Sequence, residues 1–231
     1  MREFDHSIIF FFNQFAKHWH TFDEILVFFT NSDLMKGGVV LAFFWWAWLR
    51  RSQDFKLNRS YLLSALAGAV VALFVARILA HVLPLRVRPI SDPTLHFRPP
   101  AGMPDQSNWT IWSSFPSDHA ALFGALLTGI WLAWRTGGIA LMFYVIFLIF
   151  FPRIYIGIHY PTDILGGAAI GVSCVLLCSW KPLRQLWTEH VLNWFDRRPG
   201  PAYALLFIIT FQIATLFWDI RTFLYIFDIS V

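Results

Sequence analysis

YLLSALAGAVVALFVARILAHVL, residues 61–83, decides the fold class of this chain. The hydrocarbon core of a bilayer is about 30 Å thick, and a helix needs about 20 mostly apolar residues to cross it. This stretch is long enough, and its only basic or acidic side chains are Arg77 and His81 near one end. Working outward, five more apolar stretches accompany it: Leu34–Leu49, His119–Trp134, Gly137–Phe151, Ile164–Trp180 and Ala202–Trp218. Several are short, so they either extend into flanking residues or sit in a protein-lined bundle. The composition agrees: 57% of residues are hydrophobic, and the chain carries 25 Phe and 12 Trp, suited to bilayer thickness and interfacial anchoring. The sequence predicts an all-α, polytopic integral membrane protein with six transmembrane helices, residues 1–231 forming a single membrane-embedded domain.

Residues 1–30 read as amphipathic. Ile8, Phe11, Phe12 and Phe15 recur at helical spacing with Asp5, Asn13, Lys17 and His18 between them, which predicts an interfacial helix. No cleavable signal peptide is read there, because the run Ile8–Phe12 is too short for an h-region. Cys174 and Cys178 stand four apart on one predicted helix face, a spacing for packing and not for a disulfide framework or a metal.

The net charge of +4 is too modest to suggest nucleic acid, and its distribution says more. Arg50, Arg51, Lys56 and Arg59 crowd the connection between the first two spans. Arg135 lies between the third and fourth, and Lys181, Arg184, Arg197 and Arg198 lie between the fifth and sixth. Of the 14 acids, only Asp54, Glu189 and Asp196 fall with them. The positive-inside rule then places these ends in the cytoplasm and both termini outside.

On the outer side lie three short patterns: Arg88-Pro89, then Pro116-Ser117-Asp118-His119, then Arg153 followed by His159 and Asp163. Pro116 is expected in the first turn of a helix, where Ser117, Asp118 and His119 would offer free backbone N–H groups to an anion. Pro161 is expected to open another helix, with His159 just ahead of it and Asp163 in its first turn. A carboxylate that close can bond one imidazole nitrogen and leave the other as a nucleophile. Arg88 and Arg153 offer forked donors to phosphate oxygens. Each piece alone has a bland reading: a lone Arg at a span end snorkels, and Pro-Ser before an apolar run is a helix start. Their joint order on one face points to an oxyanion-binding and proton-transfer site.

With these residues the chain resembles the type 2 phosphatidic acid phosphatase superfamily, whose pattern is Lys-x6-Arg-Pro, Pro-Ser-Gly-His and Ser-Arg-x5-His-x3-Asp. The resemblance implies that His159, oriented by Asp163, forms a phosphohistidine. It implies that His119 protonates the leaving group, that Arg88, Ser117 and Arg153 cradle the phosphate, and that no metal or cofactor takes part. Three positions depart from the pattern. His81 stands at the Lys position, Pro152 replaces the Ser before Arg153, and Asp118 replaces the Gly. The last replacement resembles bacitracin-resistance-type undecaprenyl pyrophosphate phosphatases. Arg77 and His81 share a face at the outer end of their span, so both are expected to add charge for the phosphate, with Arg86 as a possible substitute.

The expected function is an integral-membrane lipid phosphatase in the plasma membrane, with its site on the periplasmic or extracellular side. The favoured substrate is undecaprenyl pyrophosphate. Phosphatidylglycerol phosphate, phosphatidic acid and lipid A are enzymatic alternatives, and a transporter of phosphorylated lipids is the alternative of another class. The expected partners are the phosphorylated lipid and the bilayer.

Overall fold

A computed structural model describes residues 2–103, 113–218 and 222. The helices are α1 (Arg2–Asn13), α2 (His20–Asn31), α3 (Leu34–Leu49), α4 (Phe55–Val82), α5 (Asp118–Ala133), α6 (Arg135–Tyr155), α7 (Pro161–Cys178), α8 (Lys181–Arg197) and α9 (Pro199–Ala214). No strand occurs among the described residues. Each of the six apolar stretches falls mainly within a helix. Three helices, α4, α6 and α7, are long and apolar enough to cross a membrane alone. The pair α2 and α3 meets the same standard together, bent by 71° at the break between them. This is a helical membrane protein.

The short stretches resolve both ways. α4 extends well before Tyr61 and reaches 28 residues, about 42 Å at 1.5 Å per residue. α5 keeps 16 residues but is buried along most of its length, from Ala120 through Leu126 and again over Thr128–Ile130. It is the central post of the bundle, so neighbouring helices surround it. α4 and α7 pack against it through small residues, as helices do where apolar solvent gives no drive to associate. A Cβ at Gly167 of α7 would collide with the Ser117 carbonyl at the start of α5. Cys174 packs with Ala72, Ala76 and Ala121, as its spacing predicted.

The basic connections gather at one end. Lys56 pairs with Asp196 at 3.5 Å, Arg59 lies over Trp48, Arg50 over Trp134, and Arg184 over Tyr61. Arg77 is 18 positions beyond Arg59 on α4, about 27 Å along the axis, so the three patterns sit near the opposite end. The N-terminal region is two helices, and polar ties fix it to the bundle. Asp5 is fully buried, and Asp23 accepts from the Tyr155 hydroxyl at 2.6 Å.

Candidate active site

The turn between α6 and α7 carries His159. Gly157 within it has φ +76°, the left-handed region that only glycine enters cheaply, and a Cβ there would also strike the Phe97 ring. Ile90 donates to the Gly157 carbonyl at 2.8 Å, which fastens the strap after Arg88 to this turn. His159 is 3% exposed. Its Nδ1 lies 2.9 Å from the Ser114 carbonyl oxygen and 3.7 Å from Asp163 Oδ2. A carbonyl only accepts, so Nδ1 carries the proton and Nε2 presents its lone pair, with no hydrogen-bond partner among the described residues. Burial pushes the His159 pKa below the ordinary histidine value, favouring this neutral form.

The Ser114 carbonyl accepts the hydrogen bond from His159 Nδ1, and Asp163 adds a carboxylate 3.7 Å from the same nitrogen. Its oxygens are taken by the Tyr160 N–H at 2.7 Å, which caps α7, and by Arg86 Nη1 at 2.5 Å. Arg86 also donates to Asp5 Oδ2 at 2.6 Å, and Asp5 accepts from both the backbone and the hydroxyl of Thr162. The N-terminal helix is thus locked onto the start of α7 through a buried Asp5–Arg86–Asp163 network.

The start of α5 also differs from the prediction. Ser117 is the N-cap and its Oγ accepts from Ala120, so Pro116 lies before the helix and not in its first turn. The Phe115–Pro116 peptide is cis. Two of the expected anion donors are already engaged: the Ser117 N–H goes to the Asp163 carbonyl and the His119 N–H to Asp118 Oδ1. The Asp118 carboxylate also lies 2.9 Å from His119 Nδ1 and 3.2 Å from Arg77 Nη2. Arg77, Asp118 and His119 form a chain in which the carboxylate anchors the imidazole. Asp118 and Arg77, both expected to contact phosphate, pair with each other. His81 is exposed, with Nδ1 2.8 Å from the Arg77 carbonyl of its own helix.

Arg153, in the last turn of α6, is 4% exposed, and its Nε is buried with no hydrogen-bond partner among the described residues. It lies within electrostatic reach of Asp118 and Arg88. Arg88 approaches the Ile158 carbonyl at 3.4 Å and interacts with Asp118 and Asp163. The structure thus gathers Arg88, Ser117, Asp118, His119, Arg153, His159 and Asp163 at one end of the bundle, with Arg77 behind Asp118. A buried guanidinium whose Nε lacks a partner among the described residues, close to a histidine with a bare Nε2, is a donor set for an oxyanion. Among the described residues no group of three His, Cys, Asp or Glu side chains converges as metal ligands.

Sequence reasoning did not assign the Ser114 carbonyl, which as a backbone group leaves no signal, or the Asp5 tie. It also passed over Lys36, the one charge inside the stretch Leu34–Leu49, which sits at the site's edge.

A bundle of apolar helices with paired histidines and arginines at one end defines a class, and comparison with known proteins agrees. The PAP2 superfamily model matches residues 65–187, and the chain belongs to that superfamily. It is similar to the bacitracin transport permease protein BcrC of Bacillus licheniformis, at 29% identity over 65% of this chain and 68% of the relative. It is also similar to the putative undecaprenyl-diphosphatase YbjG of Escherichia coli, at 24% identity over 74% of this chain and 80% of the relative. No solved structure matches.

Proposed function

We propose that this protein is a membrane phosphatase that removes a phosphate from a phosphorylated lipid, with undecaprenyl pyrophosphate as the favoured substrate. The observation that carries the reading is the tautomer of His159: Nδ1 held by the Ser114 carbonyl, Nε2 bare, and the buried Arg153 within electrostatic reach. In the proposed reaction His159 Nε2 attacks phosphorus and the P–O bond to the leaving group breaks. The leaving oxygen takes a proton from His119, whose imidazolium Asp118 stabilises. Water then cleaves the phosphohistidine, giving its proton to His119 and restoring His159. Arg88 and Arg153 offset the charge on the phosphoryl oxygens throughout. The chain's own cations supply the electrostatics, so no metal is invoked.

The substrate preference rests on the name of the Escherichia coli relative, a putative undecaprenyl-diphosphatase, and on the Asp118 replacement. Phosphatidylglycerol phosphate, phosphatidic acid and lipid A remain as other lipids for the same chemistry. A transporter reading draws on the name of the Bacillus relative. The His159 geometry favours catalysis, because binding alone needs the arginines and not a bare imidazole nitrogen.

The test is phosphate release from a panel of these lipids by purified protein in EDTA. Undecaprenyl pyrophosphate is expected to turn over fastest. His159→Ala should abolish turnover and remove an acid-labile phosphoryl label seen on the wild type. Activity lost in EDTA and restored by a divalent cation overturns the metal-free mechanism, and lipid transport without phosphate release overturns the phosphatase.

A further inference from the structure

The superfamily pattern has a lysine where this chain has His81, which is exposed and carries no ammonium group. The site nevertheless has an ammonium group beside it. Lys36 projects from the π-helical first turn of α3, directly after the 71° break from α2. It is 9% exposed, although it lies near the end of an apolar stretch where a lysine ordinarily snorkels to water. The turn is fixed from two sides. The Tyr144 hydroxyl donates to the Met35 carbonyl at 2.6 Å, and Gly37 lies so close to Ala214 that a Cβ would collide with it.

From this position Lys36 interacts electrostatically with Arg153, Asp118 and His119. Its ammonium pairs with Asp33 at 3.1 Å, one turn back on the same segment, and that carboxylate side chain is 57% exposed. Asp33 therefore meets the Lys36 ammonium itself, from the solvent side, and holds it in place. Inside, Lys36, Arg88 and Arg153 face Asp118, which is already engaged with Arg77 and His119. Excess positive charge in a buried site costs several kcal/mol per ion unless an anion shares it. The residues matched by the superfamily model begin at Ala65, so Lys36 stands outside them.

We propose that Lys36 binds the phosphoryl group of the substrate, supplying from α3 the ammonium that the superfamily pattern carries on the following span. The proposal rests on the phosphatase reading for the identity of the ligand, but the anion site itself does not. A lysine within electrostatic reach of Arg153 and His119 offsets charge on the phosphoryl group, and the Asp33 contact holds it in place.

The experiment is binding of inorganic phosphate to the purified full-length protein in detergent, read as the rise in unfolding midpoint with phosphate concentration, which needs no turnover. Lys36→Met is expected to weaken phosphate about tenfold, the scale of one charge-assisted hydrogen bond. Lys36→Arg keeps the charge and should stay within about threefold of wild type. Should Lys36→Met fail to fold, Lys36→Gln carries the same expectation, with the phosphate-free midpoint reporting integrity. Equal affinity in wild type and Lys36→Met overturns the proposal, as does a wild type whose midpoint ignores phosphate. Loss in Lys36→Arg as large as in Lys36→Met also overturns it, because the side chain would then matter for shape and not charge. Lipid turnover measured in parallel separates the two readings. A wild type that binds phosphate through Lys36 yet releases none from any lipid sinks only the phosphatase.

Discussion

His159 owes its proposed reactivity to a backbone atom. The Ser114 carbonyl fixes which nitrogen holds the proton, and burial keeps the ring neutral. A base whose pKa is lowered stays deprotonated as pH falls through the ordinary histidine value of about 6.5. The acid limb of kcat/KM, which reports the free enzyme, is therefore expected below pH 6.5. An acid limb at or above pH 7 would assign His159 a raised pKa and a different environment. Arg86 carries a second expectation. Its removal strands the Asp5 and Asp163 carboxylates, both fully buried, so Arg86→Met should cost on the order of 3 kcal/mol and lower kcat. Adding Asp5→Asn should recover part of the loss, since it removes one stranded charge. An unfolding midpoint for Arg86→Met equal to wild type would show that the network contributes nothing. Residue types and spacing announced His159, His119, Arg88 and Arg153. Side-chain destinations stayed hidden: Asp118 resembles an anion donor until its carboxylate is seen on His119, and Lys36 reads as a snorkelling lysine until its burial is known.

Among the elements, α5 and α7 bring the two histidines together by close approach. Ser117 donates to the Asp163 carbonyl at 3.2 Å, and Gly167 is the position that leaves room for the Ser117 carbonyl. Gly167→Leu should wedge the helix starts apart and cost about 1–3 kcal/mol, with a larger relative fall in kcat than in the unfolding midpoint. Full activity in Gly167→Leu would show that the site tolerates a shifted α5. The apolar stretches were legible because a bilayer imposes composition over a whole span. Helix starts were less so: Pro161 did open α7, whereas at α5 the Ser117 cap decided the boundary and left Pro116 outside. The amphipathic pattern of residues 1–30 did not announce the break between α1 and α2, nor that Asp5 would turn inward.

For the whole molecule, the basic connections at one end and the phosphate-type site at the other predict opposite exposure across the membrane. With Cys174 and Cys178 replaced by Ala, cysteines at Gln53 and Thr94 should label from opposite sides with an impermeant thiol reagent, Thr94 from outside in intact cells. Labelling of Gln53 in intact cells would invert the topology. The tie between Asp5 and Thr162 spans 157 positions, a long closure around the site. Ribosomes release the two partners in reverse order of need: α1 emerges first, yet its mate arrives only after α6 has been threaded into place. The nascent protein must hold an unpaired acidic helix in waiting until then, so completion of the pocket is a late event in biosynthesis, and any leader or tag that delays the docking of α1 delays the appearance of activity with it.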